Sequence, residues 1–342
     1  MEYVKGGTAQ AILASSGNSN VCTGEQGVKD ARDMAKTVAD LLKIPQRHVL
    51  VASTGIIGQP LPMEKIRAAL PRLVKALSPQ GGRNAAEAIM TTDTRPKEAA
   101  LRLEVAGRPI TIGGMAKGVG MIDPHLATMF CFLATDAMIS REALQPVLKR
   151  AVDRSFNRIT VDGDQSTSDT VALLANGLAE NAPLVRGSRG LRQFAHGLDA
   201  ITERLGRMLV KDGEGGTKLV EIMVRGARSR RDALAAARSV ATSLLVKTAI
   251  NGQDPNWGRI MMALGKSPAK VHAELVGIWF EDEQVVERGQ LRPGARLDRV
   301  REIMTQPEFT IQIDLGIGSG RERVWTCDLS EEYVRINAKY ST

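Results

Sequence analysis

The chain has 342 residues, 43% of them hydrophobic and 25% charged, with a net charge of +8; that is enough material for two domains with buried cores, and no apolar stretch nears the ~18 uncharged residues of a membrane span. The basic residues are dispersed apart from Arg225, Arg228, Arg230 and Arg231, which read as a solvated helix start, and aromatics make up only 4%, so neither a nucleic-acid nor a membrane partner is expected. Cys22, Cys131 and Cys327 are odd in number and far apart, and His48, His125, His196 and His272 lack metal-site spacing; the cysteines are expected as buried small apolar residues, with no disulfide framework and no metal.

In chain order, the start at Met1-Glu2-Tyr3-Val4-Lys5 lacks the apolar core of a signal peptide, so a cytoplasmic location is expected. Thr23-Gly24-Glu25-Gln26 has the form of a capping box, and Val28, Ala31, Met34, Ala35, Val38, Leu41 and Leu42 follow at helical spacing. A helix is predicted to about residue 43, with Pro45 stopping it. Residues 48–53 read as a short buried strand that delivers the chain to Thr54-Gly55. A helix over 63–77, bent near Pro71, and a hairpin of 100–105 with 109–112 come next. The glycine-dense stretch 113–120 permits close backbone approach and leads into an apolar run at 129–134.

Helices near 140–154 and 167–178 are predicted to flank a strand at 158–161. From about residue 218 the texture changes to a strand at 219–227, one alanine-rich helix over 229–247, strands near 270–280 and 309–315, and a last strand at 333–338. The alternation of helices and strands predicts an α/β layered domain over 1–212 and a smaller α+β domain over 213–342. Asp162 and Asp164 read as a polar turn in which carboxylates bond nearby N–H groups. The loop 254–259 reads as structural and near the site.

Composition and periodicity do not name a reaction. Several segments, however, occur together and in order: Cys22-Thr23-Gly24-Glu25-Gln26-Gly27, Ala52-Ser53-Thr54-Gly55-Ile56-Ile57-Gly58, Met90-Thr91-Thr92-Asp93-Thr94, Gly114-Met115-Ala116-Lys117-Gly118, Leu126-Ala127-Thr128-Met129, Ile159-Thr160-Val161-Asp162-Gly163-Asp164, Asp254-Pro255-Asn256-Trp257-Gly258-Arg259 and Ile336-Asn337-Ala338. They span nearly the whole chain, which resembles the ornithine acetyltransferase (glutamate N-acetyltransferase) family of arginine biosynthesis. The resemblance implies an αββα-type sandwich that cuts itself between Ala127 and Thr128. Thr128 would then be the nucleophile. Its hydroxyl needs a base, and the α-amine exposed by the cut, with a pKa near ~8, is one on the same residue.

The resemblance further implies that Thr54 and Gly55 form the oxyanion hole, and that Thr91, Lys117, Thr128, Glu214, Asn337 and Thr342 contact substrate. Acetyl is expected to pass from N2-acetylornithine to glutamate by a ping-pong route. No resident cofactor is expected, although acetyl-CoA is a donor for some relatives. The two fragments are expected to stay paired as α and β chains, two of each forming a heterotetramer. Rival expectations are a self-processing amidohydrolase or aminopeptidase, and an inactive truncated homologue acting as a binding protein. Family members usually begin several dozen residues upstream, so this chain is expected to start late, and Ser15 and Ser168 stand where the family often has asparagine.

Overall fold

The computed structural model describes residues 7–105, 107–123 and 129–339. Strand β1 (Ala11–Asn18) lies parallel to β2 (Val49–Ile56), paired from Ala11 with Val49 to Asn18 with Ile56. Between them runs α1 (Gly24–Leu42), and after them α2 (Met63–Lys75), which continues across Pro71. Leu13, Met34, Val38, Val49, Leu61 and Leu70 form the apolar core that joins these four elements. The expected capping box is absent. Thr23 makes no side-chain cap and instead donates to Asn20 Oδ1 at 2.7 Å. Cys22 just before it is exposed with a φ of 58°, whereas Cys131 and Cys327 are buried as expected.

After the short α3 (Gly82–Ala88), β3 (Lys97–Val105) and β4 (Arg108–Lys117) form the predicted hairpin, which extends further from its turn than the apolar pattern suggested. β4 continues antiparallel to β5 (Phe130–Thr135). Helix α4 (Arg141–Arg154), capped by Ser140, and the two-residue β6 (Ile159–Thr160) follow as predicted. The helix expected over 167–178 is instead strand β7 (Thr170–Ala175), parallel to β5, which completes a sheet of order β3-β4-β5-β7. A six-residue apolar run fits either state by periodicity, and the open edge of β5 decides it.

No element is predicted over 179–217, yet there lies the longest helix among the described residues, α5 (Arg189–Lys211), with Ser188 accepting the Leu191 N–H at 3.1 Å. Its buried face, including Phe194, Leu198, Ile201, Leu205 and Leu209, packs on β3 and β4. The opposite side of α5 meets a second sheet, built from β8 (Leu219–Ala227), β9 (Gly277–Phe280), β10 (Glu283–Glu287), β11 (Gln290–Leu291), β12 (Glu308–Asp314) and β13 (Gly320–Cys327), with β6 at its edge. Leu219 and Trp325 face the α5 core, while Val220, Ile222 and Val324 face a separate core on the far side.

That far face is covered by α6 (Arg230–Ala241), α7 (Leu244–Asn251), α8 (Trp257–Gly265) and α9 (Leu297–Thr305). The single helix expected over 229–247 breaks with a 58° bend between α6 and α7. Thr242 Oγ1 bonds the Arg238 carbonyl at 2.8 Å there, a side-chain bond that competes with the helical ladder. The strand expected over 270–280 is confined to β9. The strand expected at 333–338 is helix α10 (Glu331–Asn337), because Ser330 accepts the Glu332 N–H at 3.2 Å and Glu331 and Glu332 suit a positive helix start. The result is a mixed α/β protein with three sheets among the described residues, in which no single helix is long and apolar enough to cross a membrane.

Candidate active site

Thr54 and Gly55 lie near the end of β2, where the strand leaves the α1/α2 core. Thr54 is buried at 3% exposure. Gly55 pairs with Gly17 at a φ of +130°, and a Cβ on it would lie 2.3 Å from the Gly17 carbonyl carbon and oxygen. Only glycine fits this approach of two parallel strands.

Lys117 ends β4 and is 2% exposed. Its Nζ donates to Thr91 Oγ1 at 3.0 Å and to Thr54 Oγ1 at 3.3 Å, so residues predicted from three separate segments converge on one ammonium. A threonine oxygen that accepts from lysine keeps its own O–H to give elsewhere. Burial lowers the Lys117 pKa from its ordinary value, with Lys97 adding to the effect and Asp93, Asp169 and Glu214 opposing it.

Glu214 follows α5 by three residues, is buried at 8% exposure, and donates its N–H to the Val119 carbonyl at 2.8 Å. Its carboxylate accepts from Asn337 Nδ2 at 2.8 Å, which draws the end of α10 to the site. The backbone at Gly120 lies so close that a Cβ there would sit 2.5 Å from the Glu214 carboxylate. Thus Thr54, Thr91 and Lys117 are hydrogen-bonded to one another, Glu214 and Asn337 form a second pair, and the Glu214 charge acts on Lys117. Ala127, Thr128 and Thr342 lie outside the described residues; Met129, the residue after Thr128, immediately precedes β5.

Sequence reasoning missed the ionic floor of this site. Asp93 accepts from the Thr91 N–H at 3.2 Å, the Gly118 N–H at 2.9 Å and Lys97 Nζ at 2.6 Å. Lys97, fully buried, also reaches Asp212 at 2.6 Å, and Asp212 in turn accepts the Thr94 N–H at 3.1 Å. Burial pushes the Asp93 carboxyl up, but Lys97, the Gly118 N–H and Lys117 together hold it below its ordinary value. Lys97 therefore ties the Thr91 loop to the segment that carries Glu214. The only sequence signal was charge next to Thr91 and Glu214, which solvated loops show equally often.

Asp169 was also missed as a site residue. It accepts the Met129 N–H, and burial, partly opposed by that bond and by Lys117, raises its pKa to about 7. The Asp162 turn is structural as read: its carboxylate accepts from Met121 N–H at 2.6 Å, Ile122 N–H at 2.9 Å and Asp164 N–H at 3.2 Å. In the 254–259 loop Asn256 caps α8 and Arg259 donates to the Leu245 carbonyl at 2.8 Å. The four arginines near α6 are exposed, three of them paired with Asp314, Asp232 and Glu322.

Hydroxyl donors gathered on a buried ammonium, beside a fixed carboxylate, are the equipment of an enzyme that moves acyl groups. The ArgJ family profile matches residues 1–342, and the chain belongs to the ArgJ family. It is 48% identical to the arginine biosynthesis bifunctional protein ArgJ of Symbiobacterium thermophilum over 98% of this chain and 83% of that protein. It is also 48% identical to its namesake in Geobacter sulfurreducens, over 100% of this chain and 87% of that one. The crystal structure of the Bacillus halodurans ArgJ protein superimposes with a TM-score of 0.59 at 38% identity, covering 62% of this chain and 98% of that chain.

Proposed function

We propose that this chain carries acetyl from N2-acetylornithine to glutamate on Thr128, after cutting itself between Ala127 and Thr128. Membership of the ArgJ family makes it an acyltransferase of arginine biosynthesis. In the proposed reaction the Thr128 hydroxyl gives its proton to the Thr128 α-amine and attacks the acetyl carbonyl. The oxyanion is met by the Thr54 hydroxyl and the Gly55 N–H, and collapse expels ornithine as the amine takes the proton. Glutamate then attacks the threonine ester by the reverse sequence. Lys117 and Glu214 supply the fixed cation and anion for an amino-acid substrate, with Thr91, Asn337 and Thr342 as neutral contacts.

The observation that carries this reading is the convergence of Thr54, Thr91 and Lys117, drawn from 63 residues apart at the widest, on one buried point.

The same reading takes residues 1–212 as an αββα-type sandwich and 213–342 as the second domain; all six strands from β8 to β13 pair with a neighbour from the same group, and the remaining strand of that sheet, β6, comes from the first. It takes the α and β fragments as a pair, two pairs forming a cytoplasmic heterotetramer. The relatives' description as bifunctional supports acetyl-CoA as a second donor to glutamate.

Denaturing mass analysis together with an acetyl-exchange assay tests the core of the proposal. The native sequence should yield two fragments meeting at Ala127 and Thr128, and Thr128→Ala one intact chain without exchange. Undiminished exchange in Thr128→Ala would overturn it, and acetate release independent of glutamate would reassign the chain as a hydrolase.

A further inference from the structure

Asp169 immediately precedes β7, and its Oδ1 accepts the N–H of Met129. On the other side of the same residue, the Met129 carbonyl accepts the Thr170 N–H at 3.0 Å. The residue after position 128 is therefore held at both of its backbone groups. The second carboxylate oxygen of Asp169, Oδ2, is buried and has no hydrogen-bond partner among the described residues. A buried acceptor without a donor is costly, so this oxygen is placed for something that is charged or that comes and goes.

Covalent geometry limits what that is. The nitrogen gripped by Oδ1 is the amide nitrogen joining residues 128 and 129. Standard bond lengths keep the amino nitrogen of residue 128 within about 4 Å of it in any conformation. Resting on the reading of Thr128 as nucleophile, we infer that Asp169 is a positioning residue for its α-amine: Oδ1 pins the following amide, and Oδ2 receives the ammonium formed when the amine takes the hydroxyl proton. The arrangement is a nucleophile, a base, and a carboxylate that orients the base and stabilises its charged form. The proton moves from the threonine hydroxyl to the amine and leaves on the departing ornithine amine, so Asp169 itself neither gains nor loses one in the cycle.

The charged group facing Asp169 is Lys117 of β4, with Asp93, Lys97 and Glu214 behind it. Burial lifts the Asp169 pKa to about 7, so its carboxylate is charged above that pH and protonates below it. Exchange should accordingly fall as pH drops through about 7.

Asp169→Asn keeps an oxygen for the Met129 N–H but replaces the second acceptor with a donor. In this variant kcat for acetyl exchange should drop roughly 100-fold with KM for acetylornithine unchanged, and the acid limb of the pH profile should lose the Asp169 inflection and keep only that of the α-amine. A purely structural role would lower stability and leave the shape of the pH profile intact. Wild-type kcat and profile in Asp169→Asn overturn the inference. Should that variant remain uncut or unfolded, Asp169→Glu decides: return of cutting and exchange supports a carboxylate at this position, and no return overturns it. Thr128→Ala, run in parallel, separates the two readings. Exchange surviving there sinks the nucleophile, whereas a dead Thr128→Ala beside an unaltered Asp169→Asn sinks only the role of Asp169.

Discussion

At the scale of single residues, the site depends on what Lys117 does to its neighbours. By occupying acceptor positions on Thr54 and Thr91 it leaves each hydroxyl hydrogen to point elsewhere. Thr54→Val keeps the shape of the side chain and removes that hydrogen. Steady-state kinetics should show kcat reduced by roughly 10²–10³ with little change in KM, and Thr54→Ser should recover much of the loss. The role expected of Thr54 and Gly55 was legible through the family's motifs; the strand expected to end at residue 53 runs on through both to Ile56, so the loop expected there is absent. Lys117 and Glu214 were legible only through the family's motifs, since a charged residue beside glycine has no local mark of burial. Asp93, Lys97 and Asp212 escaped because their meaning lies in a contact between positions 115 residues apart.

Among elements, α5 is the one that both sheets need. Its apolar residues face β3 and β4 on one side and β6 and β13 on the other, so no face of its buried half is idle. Phe194, fully buried, sits in this layer. Phe194→Ala should lower unfolding free energy by about 3–5 kcal/mol, read from the denaturant midpoint at unchanged slope. Loss of less than about 1 kcal/mol would mean that the layer is loosely packed. The helix carries a capping serine at Ser188 and apolar residues at helical spacing, signals that were present and not read. Other elements were misread for physical reasons. β7 is short enough to satisfy either period, α10 is decided by the Ser330 cap, and the break between α6 and α7 comes from a threonine bonding back to its own helix.

For the whole molecule, alternation of elements was enough to predict a layered α/β protein, but not how the layers share residues. β6, from the first two hundred residues, closes the edge of the seven-stranded sheet, and Leu219, Trp325 and Cys327 complete the core around α5. Only contacts between distant segments reveal such sharing. One further consequence follows from β4 and β5, which pair residue for residue from Ile112 with Thr135 to Lys117 with Phe130 while lying on opposite sides of the 127/128 junction. With that junction cut as proposed, half of a single sheet would belong to one polypeptide and half to another, and regaining it after unfolding would be a second-order encounter. Recovery of the cut protein from denaturant should weaken on dilution, whereas the uncut Thr128→Ala chain should recover equally well at every concentration.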